Sequence, residues 1–378
     1  MKIVIAPNAF KGCLSSTDAA VAMEKGIKKC LPDSETVKIP ISDGGDGLSE
    51  VVNGLFNTEL VMEKVNDPLG RKIEAAYSII KEMNTAVIEM ALASGLALLR
   101  KDERDPMAAS TYGTGELIAS AVKRGAKKII LGIGGSATCD GATGAASATG
   151  WRFLDANGGG VIPCGTSLTR IRKISFDEKC KEIRNIPITV VCDVENNLLG
   201  EKGAARVFAP QKGASPEEVE ILEEGLANLA EVIRRDLGID VCEIRGGGAA
   251  GGMGAGMKAF FNAELRRGTE VIFSLIGLEE KLADADLVLT GEGRIDEQTI
   301  FGKAPAEVAK LAKKMSIPCI AICGSISGNM TPLHSAGMSS VHSICKGSIT
   351  LDEAMRNAAP LLSSETERVI RKFLSGSL

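Results

Sequence analysis

The sequence predicts an α/β fold of two domains, and three observations carry that expectation. Short apolar runs, read as buried strands, alternate with helix-period stripes along most of the chain. Glycine-rich turns follow several of those runs, at the strand ends where open α/β sheets gather their ligands. Segments near both termini share a simple strand–helix style, while the middle differs. The expected architecture is therefore a discontinuous Rossmann/flavodoxin-like parallel-sheet domain built from residues 1–65 plus 283–378. A middle α/β domain, residues 66–282, is inserted into it, with the active-site cleft between the two.

The elements follow in order. Lys2–Ala6 reads as a strand. Ser15 or Ser16 caps a helix, with Asp18 in its first turn and apolar positions near Val21, Ile27, Cys30 and Leu31. Thr36–Ile41 is a second strand, ending at Ser42-Asp-Gly-Gly-Asp-Gly47, and a helix runs through Leu48–Leu55. The turn Asn66-Asp-Pro-Leu-Gly70 opens a strand pair, Ile73–Ile80 and Ala86–Met90. Thr114–Lys123 is a helix with Gly125 as its C-terminal stop. Lys127–Ile130 starts a buried strand that breaks at the glycines of Leu131–Gly144, and a small-residue helix, Ala145–Thr149, comes next. Ser215-Pro-Glu-Glu218 opens a helix with a Ser cap, and Val219, Leu222, Leu226, Leu229 and Ile233 form its buried stripe. Leu287–Thr290 is a strand. Ala304, Val308, Leu311 and Met315 stripe a helix beginning at Pro305, and Pro318–Cys323 is the next strand.

Composition narrows the function. The 378 residues are 44% hydrophobic, ordinary for a globular enzyme, and only 3% aromatic. So few rings, scattered basic residues and a formal charge of −4 argue against nucleic-acid binding. The first apolar run is too short for a signal segment, and none reaches membrane-spanning length, so a cytoplasmic protein without membrane contact is expected. The ten cysteines show no C-x-x-C spacing and read as free thiols of a reducing compartment. His334 and His342 are the only histidines, and neither sits near a suggestive partner in sequence.

The chemistry concentrates on the glycine turns. In Leu131–Gly144, Gly134 and Gly135 would let backbone N–H groups approach an anion, with Ser136 and Thr138 adding hydroxyls and Asp140 a carboxylate. Phe10-Lys-Gly12 puts Lys11 after the first strand. Asp43-Gly-Gly-Asp-Gly47 follows the second. Thr290-Gly-Glu-Gly-Arg-Ile-Asp296 follows Leu287–Leu289, with Lys303 just beyond. The cluster Gly246–Gly256 reads equally as ligand contact or as tight packing, and Asp193 either caps a strand end or serves the site. Each motif has a bland reading alone: a solvated lysine, a common Asp-Gly turn. Their convergence on strand ends favours chemistry. Carboxylates with Lys and Arg, and no usable His, suit phosphoryl transfer, in which acid-held Mg²⁺ bridges phosphate oxygens of ATP. A carboxylate can also accept the proton of an attacking alcohol. The G-x-x-x-x-G-K-[ST] pattern of P-loop kinases does not occur.

A competing pattern is Gly132-Ile-Gly134 with Ala137 and, at a fitting offset, Asp155, a loose dinucleotide fingerprint. It keeps an NAD(P)-dependent oxidoreductase of a small hydroxy acid as the alternative. A binding protein without turnover is a third reading.

The ordered motifs resemble the type-1 glycerate kinases of bacteria over essentially the whole chain. The matching segments include Lys2–Pro7 with Phe10-Lys-Gly12, Asp43-Gly-Gly45, Asp67-Pro-Leu-Gly-Arg71 and Thr111-Tyr-Gly-Thr-Gly-Glu116. Gly132–Thr138 with Asp140-Gly141, Pro210-Gln-Lys-Gly213, Ala249-Ala-Gly-Gly252, and Thr290–Arg294 with Gly302-Lys303 continue the series. The resemblance implies Mg²⁺- and ATP-dependent phosphorylation of D-glycerate, 2-phosphoglycerate being favoured, by two α/β domains around a cleft. Lys11 and Arg294 are then expected on glycerate carboxylate or phosphate groups. Asp43, Asp46, Asp140 and Asp193 form the pool of base and metal ligands, with Asp43 and Asp193 expected as catalytic and Asp46 and Asp140 as metal-binding. Gly44, Gly45, Gly134, Gly135, Ser136, Thr138, Gly291, Glu292, Asp296 and Lys303 are the expected substrate- and nucleotide-binding residues. Three positions depart from the family pattern: Asn8-Ala9 replaces Asp-Ser, Asp46 stands for the commoner Glu, and Cys139 for Asn. Oligomeric state, homo-oligomers included, is left open.

Overall fold

Central strands such as Lys2–Pro7, Leu287–Gly291 and Cys319–Cys323 are short and almost wholly buried, as expected for parallel strands covered on both faces. The computed structural model describes residues 1–41, 48–177, 180–300, 302–345 and 349–377. Its strands are β1 Lys2–Pro7, β2 Glu35–Lys38, β3 Thr58–Asn66, β4 Lys72–Ile80, β5 Thr85–Glu89, β6 Lys128–Gly132, β7 Trp151–Leu154 and β8 Lys173–Phe176. They continue with β9 Ile188–Val191, β10 Glu264–Arg266, β11 Leu287–Gly291, β12 Arg294–Ile295, β13 Cys319–Cys323, β14 Ser325–Ile326 and β15 Met338–Ser343. The contacts divide the chain into two units, Met1–Asp43 with Arg267–Leu378, and Gly44–Arg266.

The first unit holds a five-stranded parallel sheet in the order β15-β13-β11-β1-β2. Ile3, Ile5, Leu287, Leu289, Ile320 and Ile322 supply the core of one face, packed under Met23, Ile27, Leu362 and Val369. Helix Ser16–Cys30 begins where Ser15 Oγ accepts the Asp18 N–H (3.1 Å), and it ends with Lys28 and Lys29 at the negative end of its dipole. It lies tightly on the helix Ala358–Leu374, for a Cβ at Gly26 would collide with Ser363 O. Helix Ala304–Lys314 packs against β1, β11, β13 and β15.

The second unit holds a six-stranded sheet in the order β10-β9-β6-β5-β4-β3. Its β5, β6, β9 and β10 are parallel, whereas β3, β4 and β5 are antiparallel. A separate hairpin, β7 and β8, carries Trp151 into an aromatic cluster with Phe176 (centroids 4.9 Å apart) and Phe260 (5.2 Å). Helix Pro216–Leu237 opens on the expected capping box, Ser215 Oγ accepting the Glu218 N–H and Glu218 Oε2 accepting the Ser215 N–H.

The expected domain limits move. Residues 48–65 belong to the second unit because β3 pairs with β4 along its whole length, from Thr58↔Ile80 to Asn66↔Lys72. Residues 267–282 belong to the first unit as two short helices. Strand β3 has no place in the sequence reading, since Thr58-Glu-Leu-Val-Met-Glu-Lys-Val-Asn66 mixes charges with apolar residues on both faces. Leu60 and Met62 are in fact exposed on it. All ten cysteines are free thiols, and no described helix is long and apolar enough to cross a membrane.

Candidate active site

In the first unit the loops after β1 and β11 lie against each other. Asn8 N–H donates to Gly291 O (2.8 Å), and Thr290 Oγ1 donates to Ala6 O (2.7 Å). The glycines of Thr290–Arg294 make this approach feasible: a Cβ at Gly293 would stand 3.3 Å from the Lys11 N. At Gly291 a Cβ would collide with Ile322 O. Gly291 is wholly buried and does not line the neighbouring cavity, so close packing by itself accounts for a glycine here, without the expected ligand contact. Gly291→Ala should lower stability by about 3 kcal/mol, read from urea unfolding, because the added methyl has no space. An unchanged midpoint would refute the packing role.

The cavity beside these loops encloses about 380 Å³ and is lined by Asn8, Phe10, Lys11, Glu292, Arg294 and Lys303, among others. Four expected site residues thus meet on one surface. Glu292 is buried, its Oε1 accepting from Thr299 Oγ1 (3.0 Å) with Lys303 Nζ at 4.0 Å. Asp296 lies 3.6 Å from both Arg294 Nε and Lys303 Nζ and ties the two cations together. Arg294 also donates to Ser327 Oγ (3.1 Å), leaving the guanidinium two-thirds exposed. Three cations against two carboxylates leave one positive charge over, which suits an anionic ligand.

The second unit has its own cavity, about 400 Å³, at the carboxyl ends of β6 and β9. Gly134, Gly135, Ser136, Asp193, Lys212, Ala249 and Ala250 line it. The glycine turn after β6 is held from both sides. Leu96 N–H donates to Gly135 O (2.8 Å) and Ala137 N–H to Ser94 O (2.9 Å). Gly135 takes a positive φ of 69°, so a side chain there would be strained. The segment 138–141 rests on the helix Ala249–Phe261, where Cβ atoms at Gly251 and Gly256 would collide with Thr138 O and Gly141 O. Close packing therefore accounts for most of the Gly246–Gly256 cluster, while Ala249 and Ala250 reach the cavity wall.

Asp140 has a structural role. It is fully buried and does not line the cavity. Its Oδ2 accepts the Thr111 N–H (2.8 Å), the Thr111 hydroxyl (2.8 Å) and the Gly144 N–H (3.2 Å). Helices Tyr112–Lys123 and Thr143–Ala148 both begin there, so the carboxylate stabilises two helix N-termini from inside the fold. Burial raises its pKa, and the Thr111 and Gly144 donors oppose that rise. Its Oδ1 has no hydrogen-bond partner among the described residues, while the bonds of Oδ2 give the side chain a structural role beside the expected metal-binding one. Thr138 is likewise buried and contributes its carbonyl rather than its hydroxyl. Cys139 is a buried thiol whose pKa is pushed up to about 11 by burial. Asp43, Gly44, Gly45 and Asp46 lie outside the described residues.

A model of the glycerate kinase family matches residues 3–374. The chain belongs to the glycerate kinase family. This family member is 44% identical over 358 residues to the glycerate 2-kinase of Escherichia coli K12, covering 95% of this chain and 94% of the relative. It is 41% identical to a glycerate kinase of Bacillus subtilis 168, with 95% and 94% covered. It also superposes, with a TM-score of 0.91 and 43% identity, on a Salmonella typhimurium LT2 crystal structure provisionally assigned as glycerate kinase 2, covering 100% of this chain and 99% of that one.

The dinucleotide alternative loses its acid. Asp155 Oδ1 accepts the N–H groups of Asn157 and Gly159 (2.9 Å each) in the turn after β7, and Asp155 lines neither of the two cavities described above. Sequence reasoning also missed a member of this family member's second cavity. Lys212 stood only inside the motif Pro210-Gln-Lys-Gly213, yet it is 2% exposed and bonds Ser136 Oγ (2.8 Å) and Thr138 O (2.7 Å). Burial lowers its pKa from the usual lysine range to about 8. Nothing in a four-residue motif signals that a lysine will be buried.

Proposed function

We infer that this chain is an ATP-dependent glycerate kinase, transferring the γ-phosphoryl group of ATP to a hydroxyl of D-glycerate with release of ADP. The observation that carries the reading is the family match from residue 3 to residue 374, joined to two anion-favouring cavities built from the glycine turns of the sequence. In the first, Lys11, Arg294 and Lys303 bind an oxyanion, and the planar fork of Arg294 matches the carboxylate of glycerate. Glu292 and Asp296 set the direction of those cations. In the second, the backbone of Gly134–Ser136 receives phosphate oxygens.

Asp193 is exposed at the rim of the second cavity. We assign it to proton acceptance or Mg²⁺ binding, together with Asp43 and Asp46. Among the described residues no group of three His, Cys, Asp or Glu side chains gathers to hold a metal ion. That is compatible with Mg²⁺, which commonly binds through one or two carboxylates while phosphates and water complete its shell. When bound, Mg²⁺ neutralises charge on the phosphate oxygens. The E. coli relative carries the name glycerate 2-kinase, and on that support we take O2 as the acceptor, giving 2-phosphoglycerate. A reducing cytoplasm suits ten free thiols.

The test is a coupled assay for ADP with purified protein, MgATP and D-glycerate, followed by ³¹P NMR of the product. Glycerate-dependent ADP release is expected, with the product signal of the 2-phosphate ester. ADP release that ignores glycerate would refute the kinase reading, and a 3-phosphate signal would refute the position.

A further inference from the structure

We propose that Lys212 is a phosphate-binding residue, forming with the N–H groups of Gly134, Gly135 and Ser136 an oxyanion site in the second cavity. The side chain is 2% exposed, yet it belongs to the cavity wall. Two of its ammonium hydrogens go to Ser136 Oγ (2.8 Å) and Thr138 O (2.7 Å). Both acceptors are neutral, and a third hydrogen is left over. Among the described residues no carboxylate pairs with it. The acid that senses its charge is Asp140, whose Oδ2 accepts from Thr111 and Gly144 and whose Oδ1 has no hydrogen-bond partner among the described residues; it makes no ion pair with Lys212. A buried ammonium with no carboxylate in direct contact is costly, and a bound anion would offset that cost.

The turn in front of Lys212 supplies the rest of the site. Among the described residues the N–H groups of Gly134, Gly135 and Ser136 donate to no protein acceptor, and Gly134 and Gly135 are exposed. Consecutive N–H groups through a positive-φ glycine form an anion-binding concavity. Three unpaired amide donors on this wall, with an ammonium and a hydroxyl, offer more partners than a two-oxygen carboxylate uses, and a phosphoryl group uses them better. The depressed pKa of Lys212 agrees: a charged lysine waits there at neutral pH against a desolvation cost that a bound anion would offset.

The proposal rests on the kinase reading only for the source of the phosphate, ATP. Two measurements test it. In the intact wild-type protein, ¹H–¹⁵N spectra are followed while ATP, inorganic phosphate or D-glycerate is added separately. ATP and phosphate should each move the amides of Gly134, Gly135 and Ser136. If D-glycerate moves them and neither phosphate compound does, the proposal is overturned. In kinetics, Lys212→Met, which removes the charge and keeps the bulk, should lower kcat/KM for ATP by about 10²–10³-fold. A variant with wild-type ATP kinetics also overturns it. If phosphate moves those amides in a protein that never phosphorylates glycerate, the anion site stands and the kinase reading falls.

Discussion

Asp193→Asn is expected to lower kcat by about 10²–10⁴-fold while the fold and ATP binding persist. The residue follows β9, which runs parallel beside β6, so both strands deliver their carboxyl ends to one cavity. A carboxylate at the proposed phosphate site would repel the ligand unless it has work of its own. Accepting the glycerate proton or holding Mg²⁺ are the two tasks that would retain it there. Asparagine preserves shape and removes charge, so the loss reads on chemistry rather than packing. Single-turnover kinetics over a Mg²⁺ titration separates the tasks: a ligand defect recovers as Mg²⁺ rises, a base defect does not. Near-normal turnover would remove Asp193 from the site.

Arg294→Met is expected to raise KM for D-glycerate by about 10- to 100-fold, the value of one charge-assisted bidentate contact. The cavity of the first unit would then hold two cations against two acids, and its excess positive charge would vanish. Arg294→Lys should restore only part of the loss, because an ammonium cannot present two parallel donors to a carboxylate. Steady-state kinetics with glycerate varied at saturating ATP measures both variants. Unchanged KM in Arg294→Met would show that the guanidinium does not bind glycerate.

Much of the frame was legible in residue order. Strands such as Lys2–Pro7 and Leu287–Gly291 announce themselves because two-sided burial demands unbroken apolar runs. The helix from Pro216 was readable from Ser215 and Glu218, whose reciprocal bonds span only three residues. Edge strand β3 was not readable, since one of its faces meets solvent and its pattern is mixed. Asp140 was readable only in part for a related reason: a carboxylate on a glycine turn suits a metal or a helix N-terminus equally, and only the packed chain shows its bonds to Thr111 and Gly144.

The sequence by itself determined the α/β class, the glycine turns at strand ends, and the family, because these depend on local spacing and ordered motifs. Tertiary structure alone decided which members meet. It brought Lys11, Glu292, Arg294 and Lys303 to one wall, because parallel pairing of β1 with β11 sets loops nearly three hundred residues apart side by side. It placed Lys212 behind the Gly134–Ser136 turn and took Asp140 out of the cavity. Burial and long-range pairing are properties of the packed chain, and no short motif encodes them.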